Sequence, residues 1–204
     1  MTTPPIWYRL PPGFHDVGPH DRAALIDIAA DLGSSRAQDE LTDLTDRLSQ
    51  LSAHQVVCTS IGLHPDELNG VSTSLFSVSI RRMDGSNPAL MVARTALDIT
   101  RSELWRNSTR RFIDLPSALP CCLISGTLSL PKTEQHVFQA RVVTAHPDGL
   151  HVLILDLTSA SIEHSEAYTD ILEAVTHTVC FSDPLPAPES PTTTRPSRIS
   201  EVLL

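Results

Sequence analysis

Nine histidines, four cysteines and an arginine-rich stretch are the residues of this chain with chemistry to offer. No two histidines stand at i, i+4 on one helical stretch beside a carboxylate, the spacing of a helix-borne metal site. His164 and His177 flank a helical segment and read as surface residues. Cys121-Cys122 is a vicinal pair on a predicted strand. Alternation sends its two side chains to opposite faces and denies them a shared metal or redox role. With Cys58 and Cys180 also on predicted strands, all four are expected to behave as small buried hydrophobes. His-Pro-Asp occurs at 64–66 and again at 146–148; both copies are read as turns between strands. The eight glycines include no G-x-G-x-x-G or G-x-x-x-x-G-K spacing, and G-x-S-x-G, H-E-x-x-H and C-x-x-C are missing. Nothing singles out one serine as a nucleophile. The expectation is no catalytic, cofactor-binding or metal-ligating residue, and so no enzyme.

The arginines carry the functional expectation. Residues 81–111 hold 7 basic and 3 acidic groups, +4, whereas the whole chain, with 15 Lys+Arg and 24 Asp+Glu, stands at −9. Arg94 and Arg101 are seven apart and share a face if the helix predicted there continues. Arg106, Arg110 and Arg111 follow. Arg101, Arg106, Arg110 and Arg111 are therefore the candidate residues for docking an acidic protein partner, against the simpler reading of a solvated face. The acidic remainder repels phosphate backbones, which argues against nucleic acid.

Periodicity supplies the elements that must position these residues. Leu25, Ile28, Ala29 and Leu32 form one helical stripe, and Leu41, Leu44, Leu48 and Leu51 a second. Two such stripes pack on their own domain or pair two copies of the chain. Val56–Ile61 and Phe76–Ile80 read as strands. Asn87-Pro88 opens a helix, Asn as cap and Pro at its first position, with Leu90, Ala93, Leu97, Arg101 and Leu104 as its stripe to about Trp105. Cys122–Leu130 alternates as a strand. Val137–Val143 and Val152–Leu157 flank Pro147-Asp-Gly149, a hairpin signal in which Pro presets φ and Gly accepts a positive one. Ser161 is expected to cap a helix burying Tyr168, Ile171, Leu172 and Val175, and Cys180-Phe181 to add a last short pairing. The order ααββαβββα, with hairpins in place of helical crossovers, gives the α+β class: an antiparallel β-sheet with helices packed on its faces.

With 204 residues, 41% of them hydrophobic and 19% charged, the chain has the size for one core. No apolar run reaches the length of a spanning helix, and Met1–Gly18 lacks a signal-peptide pattern. Four cysteines are too few for a secreted disulfide scaffold. A cytoplasmic protein without membrane contact is expected. Ten of the sixteen prolines fall in residues 1–19 or 184–196. The expected organisation is a disordered end at 1–6, one α+β domain over 7–183, and a disordered Pro/Ser/Thr-rich tail over 184–204 whose last residues, Ile199–Leu204, fray. Trp7-Tyr-Arg-Leu-Pro-Pro-Gly-Phe14 holds three of the nine aromatics and is expected to lie extended across the domain.

Phe138-Gln-Ala-Arg-Val-Val143, the Pro147-Asp-Gly149 turn, the helix of Tyr168 and Phe181-Ser-Asp-Pro184 together resemble the carboxyl half of the Mog1/PsbP-like fold of small actinobacterial proteins. Trp7–Phe14 and Asp114-Leu-Pro116 are further points of resemblance. The resemblance implies an α/β/α sandwich and a binding or accessory role. Some members are lipoproteins, and their lipobox is missing here. The resulting expectation is a non-catalytic accessory protein that docks onto another protein in a bacterial secretion or toxin–immunity locus. A small hydrolase or ligand-binding enzyme, with its site at one end of the sheet, and a structural homodimer are the alternatives.

Overall fold

The computed structural model describes residues 4–17, 27, 56–66, 70–85, 87–129 and 136–182. The residues of both leucine stripes, Leu25, Ile28, Ala29 and Leu32 and those at 41–51, and the tail over 184–204 lie outside them. The strands are β1 (Phe14–Asp16), β2 (Val56–Asp66), β3 (Gly70–Arg82), β4 (Trp105–Phe112), β5 (Cys121–Ser129), β6 (His136–Ala145) and β7 (His151–Ser159). Among the described residues, α1 (Pro88–Thr100) and α2 (Ser165–His177) are helices, the latter entered through a 3-10 turn over Ile162–His164. All pairings are antiparallel, in a seven-stranded sheet of order β1-β2-β3-β7-β6-β5-β4. This is an α+β fold.

Two meanders build that sheet. β1-β2-β3 is one; α1 then carries the chain over the sheet to its far edge, from which β4-β5-β6-β7 returns until β7 pairs with β3. The β6–β7 hairpin forms around the expected turn, with Val142 opposite Leu155 and Gly149 at φ +68°. The first His-Pro-Asp differs. His64, Pro65 and Asp66 are the last residues of β2, opposite Ser72, Val71 and Gly70, so the chain turns only after the triplet. Pro is tolerated there because the pairing is at the end of its ladder.

The sheet is buried on both faces where the helices cover it. On the α2 face, Phe76, Val78, Leu123, Phe138, Val142 and Leu155 pack with Tyr168, Leu172 and Val175; Ile171 is only half-buried against them. On the α1 face, Ile124, Val143, Ala145, Val152 and Ile154 pack with Met91, Val92 and Ala96. Strands covered twice need apolar residues in succession, not alternation, which explains Val152–Leu155. Cys121 lies in the first core and Cys122 in the second, the opposed placement expected of them. Burial pushes the Cys121 thiol up to about 12, with Cys122 adding to the effect.

Three local expectations are corrected. α1 starts where expected, with the Leu90 N–H donating to Asn87 Oδ1 at 3.2 Å. It ends at Thr100, however, and buries Met91, Val92, Thr95 and Ala96, leaving Leu90 52% exposed. Apolar residues lie on most of its circumference, so the sheet selected the stripe one position away. Trp105, expected to end this helix, opens β4. Ser161 makes no side-chain capping bond, and the residue preceding α2 is His164.

The amino-terminal segment is extended. Trp7 and Cys180 exchange backbone hydrogen bonds of 2.9 and 2.8 Å, while Ile6, Tyr8 and Leu10 pack against the α2-side core. Tyr8 sits 5.4 Å from Phe76 between ring centres.

Candidate functional site

The arginines of the sequence reading gather around one edge of the sheet but not on one face. Arg101 follows the last turn of α1. Arg106, Arg110 and Arg111 are exposed on β4, the outermost strand, and no described residue pairs beyond it. Register places Arg106 opposite Thr127 and Arg111 opposite Leu123 on the α2 face, and Arg110 opposite Ile124 on the α1 face. Arg111 is already engaged: its guanidinium grips Glu173 of α2, Nη1 to Oε1 at 2.8 Å. The same contact raises the pKa of Arg111 and lowers that of Glu173. Arg106 and Arg110 remain as the outward cations of the strand, with Phe112 beside them 71% exposed.

A bulge interrupts β4 between Arg106 and Thr109. Asn107 there takes φ +50°, a conformation Asn adopts more readily than most residues. The bulge folds onto Gly126, where a Cβ would stand 2.9 Å from Ser108 Cα and 3.0 Å from the Arg106 carbonyl. Two open hollows adjoin it. One, about 310 Å³, runs between the bulge and the start of α2 and is walled by Thr109, Ser125, Thr127, Ser165 and Thr169 over Phe138. The other, about 420 Å³, is bounded by Arg106, Asn107, Thr127, Ser129 and His136. Ser129 Oγ lies 3.2 Å from His136 Nδ1. That pair is exposed, and among the described residues no carboxylate is bonded to the imidazole to orient it, as an activated serine requires. The rim offers cations, hydroxyls and backbone that no described strand pairs: groups for binding.

A second constellation lies where β2 ends against the entrance to α2. Asp66, its side chain 2% exposed, faces His164 with Oδ2 3.5 Å from Nε2. Glu163 completes a set whose donor atoms lie within 4.8 Å of one another. The Tyr168 ring meets His164 edge-on at 6.3 Å, and its hydroxyl donates to Ser72 Oγ at 3.1 Å. The His64 ring also lies 6.1 Å from that of Tyr168 and meets Phe14 edge-on at 5.1 Å; burial lowers its pKa. The sequence reading missed this grouping, having placed His64 and Asp66 in a turn and His164 on the surface. Its members come from opposite halves of the chain, and no local spacing announces their meeting.

No protein-family model matches the chain, and no curated protein does. Among solved structures, it is similar to LpqN, involved in cell envelope biogenesis of Mycobacterium tuberculosis. That match has a TM-score of 0.50 at 14% identity over 87% of this chain and 83% of the other. The likeness is one of fold. A protein of unknown function from Pseudomonas aeruginosa is similar over 64% of this chain and 83% of its own, with a TM-score of 0.42 and 15% identity. No helix among the described residues is long and apolar enough to cross a membrane.

Proposed function

We propose that this chain is a non-catalytic accessory protein of the Mog1/PsbP-like fold. It works in the cytoplasm and docks an acidic, extended segment of a partner protein along β4. The observation that carries this reading is the outer edge of the sheet, along which no described residue pairs. β4 presents Arg106, Arg110 and Phe112 to solvent in a chain whose remaining charge is strongly negative. An edge strand offers a ladder of backbone donors and acceptors that another chain can complete, and arginines favour an acidic occupant and speed its approach. The bulge at Asn107 limits how far such a ladder can run, which favours a short segment over a second sheet. The Mog1/PsbP-like resemblance supports an accessory role, in a bacterial secretion or toxin–immunity locus.

The test is site-specific photocrosslinking in the native host, with the reactive residue placed at Thr109 and, separately, at Leu44. Crosslinks from Thr109 to one protein, through an acidic stretch and weakened by Arg106→Gln with Arg110→Gln, are the expected result. Added salt should weaken them further, since exposed charges are screened beyond about 8 Å at physiological ionic strength. Crosslinks from Leu44 alone would move the interface to the leucine stripes and overturn the β4 reading.

A further inference from the structure

We propose that Asp66, Glu163 and His164 form a binding site for a divalent transition-metal ion of the zinc class. The donor atoms of the three side chains lie within 4.8 Å of one another. His164 Nε2 is closed to solvent, with less than 1 Å² accessible, and has no hydrogen-bond partner among the described residues. It nevertheless sits 3.5 Å from Asp66 Oδ2. That separation suits two ligands of a single ion. With metal–ligand bonds of about 2.0–2.2 Å in tetrahedral geometry, neighbouring donors stand roughly 3.3–3.6 Å apart.

The scaffold holds two of the three ligands. Asp66 is fixed by its pairing with Gly70 at the end of the β2–β3 ladder. The His164 ring is held edge-on by Tyr168, which is itself anchored by the buried bond to Ser72. Glu163 is exposed on the 3-10 turn and closes the set from the solvent side, leaving a fourth position to water. The donor chemistry narrows the ion. An imidazole nitrogen is a poor choice for magnesium or calcium, and a site without thiolate does not select copper(I). One nitrogen and two carboxylate oxygens suit zinc, and the two carboxylates balance its charge. Bound there, the ion would tie the end of the β2–β3 hairpin to the start of α2. This inference is independent of the β4 reading, because the two sites share no residue.

The full-length, untagged chain, stripped with a chelator, is titrated with Zn²⁺ against a chromophoric competitor, and in parallel with Mg²⁺. The expected result is one tight Zn²⁺ equivalent per chain, a raised melting temperature, and no comparable effect of Mg²⁺. Glu163 is exposed and the His164 side chain is 36% exposed, so Glu163→Gln and His164→Gln should leave the fold intact by circular dichroism. Each should weaken Zn²⁺ binding by at least about tenfold and abolish the thermal shift. Absence of stoichiometric binding at micromolar Zn²⁺ would overturn the proposal. So would binding that survives both substitutions, since the ion would then lie on other histidines, or Mg²⁺ binding as strong as that of Zn²⁺.

Discussion

The hydroxyl of Tyr168 on α2 donates to Ser72 Oγ on β3 at 3.1 Å, inside the core. Phe138 stacks on the same ring at 6.3 Å. The contact locks the helix to the first meander, although α2 follows the second in sequence. Tyr168→Phe keeps the ring and strips Ser72 of this partner, so a loss of about 1–2 kcal/mol is expected. Tyr168→Ala also empties the ring's volume and should cost about 3–5 kcal/mol. Urea unfolding of both variants separates the hydroxyl from the ring.

Asp148 contributes a pH-dependent share of the stability in acid. Burial works to raise its pKa, but the Leu150 N–H at 2.8 Å, the His151 ring at 2.6 Å and the His151 N–H at 3.0 Å outweigh it and hold the carboxyl at about 2, below its ordinary 3.8. A depressed carboxyl stabilises the fold at pH values above its unfolded pKa, and the contribution is lost as pH falls through the folded one. The stability gap between wild type and Asp148→Asn should therefore be full above about pH 4–5 and vanish towards pH 2. Denaturant melts at pH 6, 4, 3 and 2 measure it; a gap constant over that range would refute the assignment.

Gly126→Ala tests the β4 bulge. The added methyl would meet Ser108 Cα and the Arg106 carbonyl, both backbone, so the strand itself must move. Overpacking of this kind costs roughly 1–3 kcal/mol. Faster amide exchange confined to β4 and β5 would accompany it, whereas a loss spread over the whole sheet would not fit a local clash.

Removal of residues 1–14 takes away Ile6, Tyr8 and Leu10 from the α2-side core and breaks the Trp7–Cys180 bridge. A loss of about 1–3 kcal/mol of apolar burial should lower the melting temperature by several degrees, at roughly 2–4 °C per kcal/mol for a domain of this size. An unchanged melt would show that the segment adds nothing to stability.

The sequence alone determined what neighbouring residues decide between themselves. Pro147-Asp-Gly149 between two apolar runs specified the β6–β7 hairpin, because the turn fixes the register of the strands it joins. Period-two alternation set Cys121 and Cys122 on opposite faces, and the stripe of Tyr168, Leu172 and Val175 marked α2. From hairpins without helical crossovers came the α+β class.

Tertiary structure decided the rest. β4 was illegible because an exposed edge strand buries little on either face; Arg-Asn-Ser-Thr-Arg-Arg within it carries no alternation. The buried stripe of α1 was chosen by the sheet from a helix apolar on several sides. The pairing of β7 with β3 joins the two meanders, and it also brings the end of β2 near the start of α2. The approach of Asp66 to His164 follows from that closure. Long-range contacts of this kind leave no periodic trace, since each residue satisfies only its local pattern until the sheet brings them together.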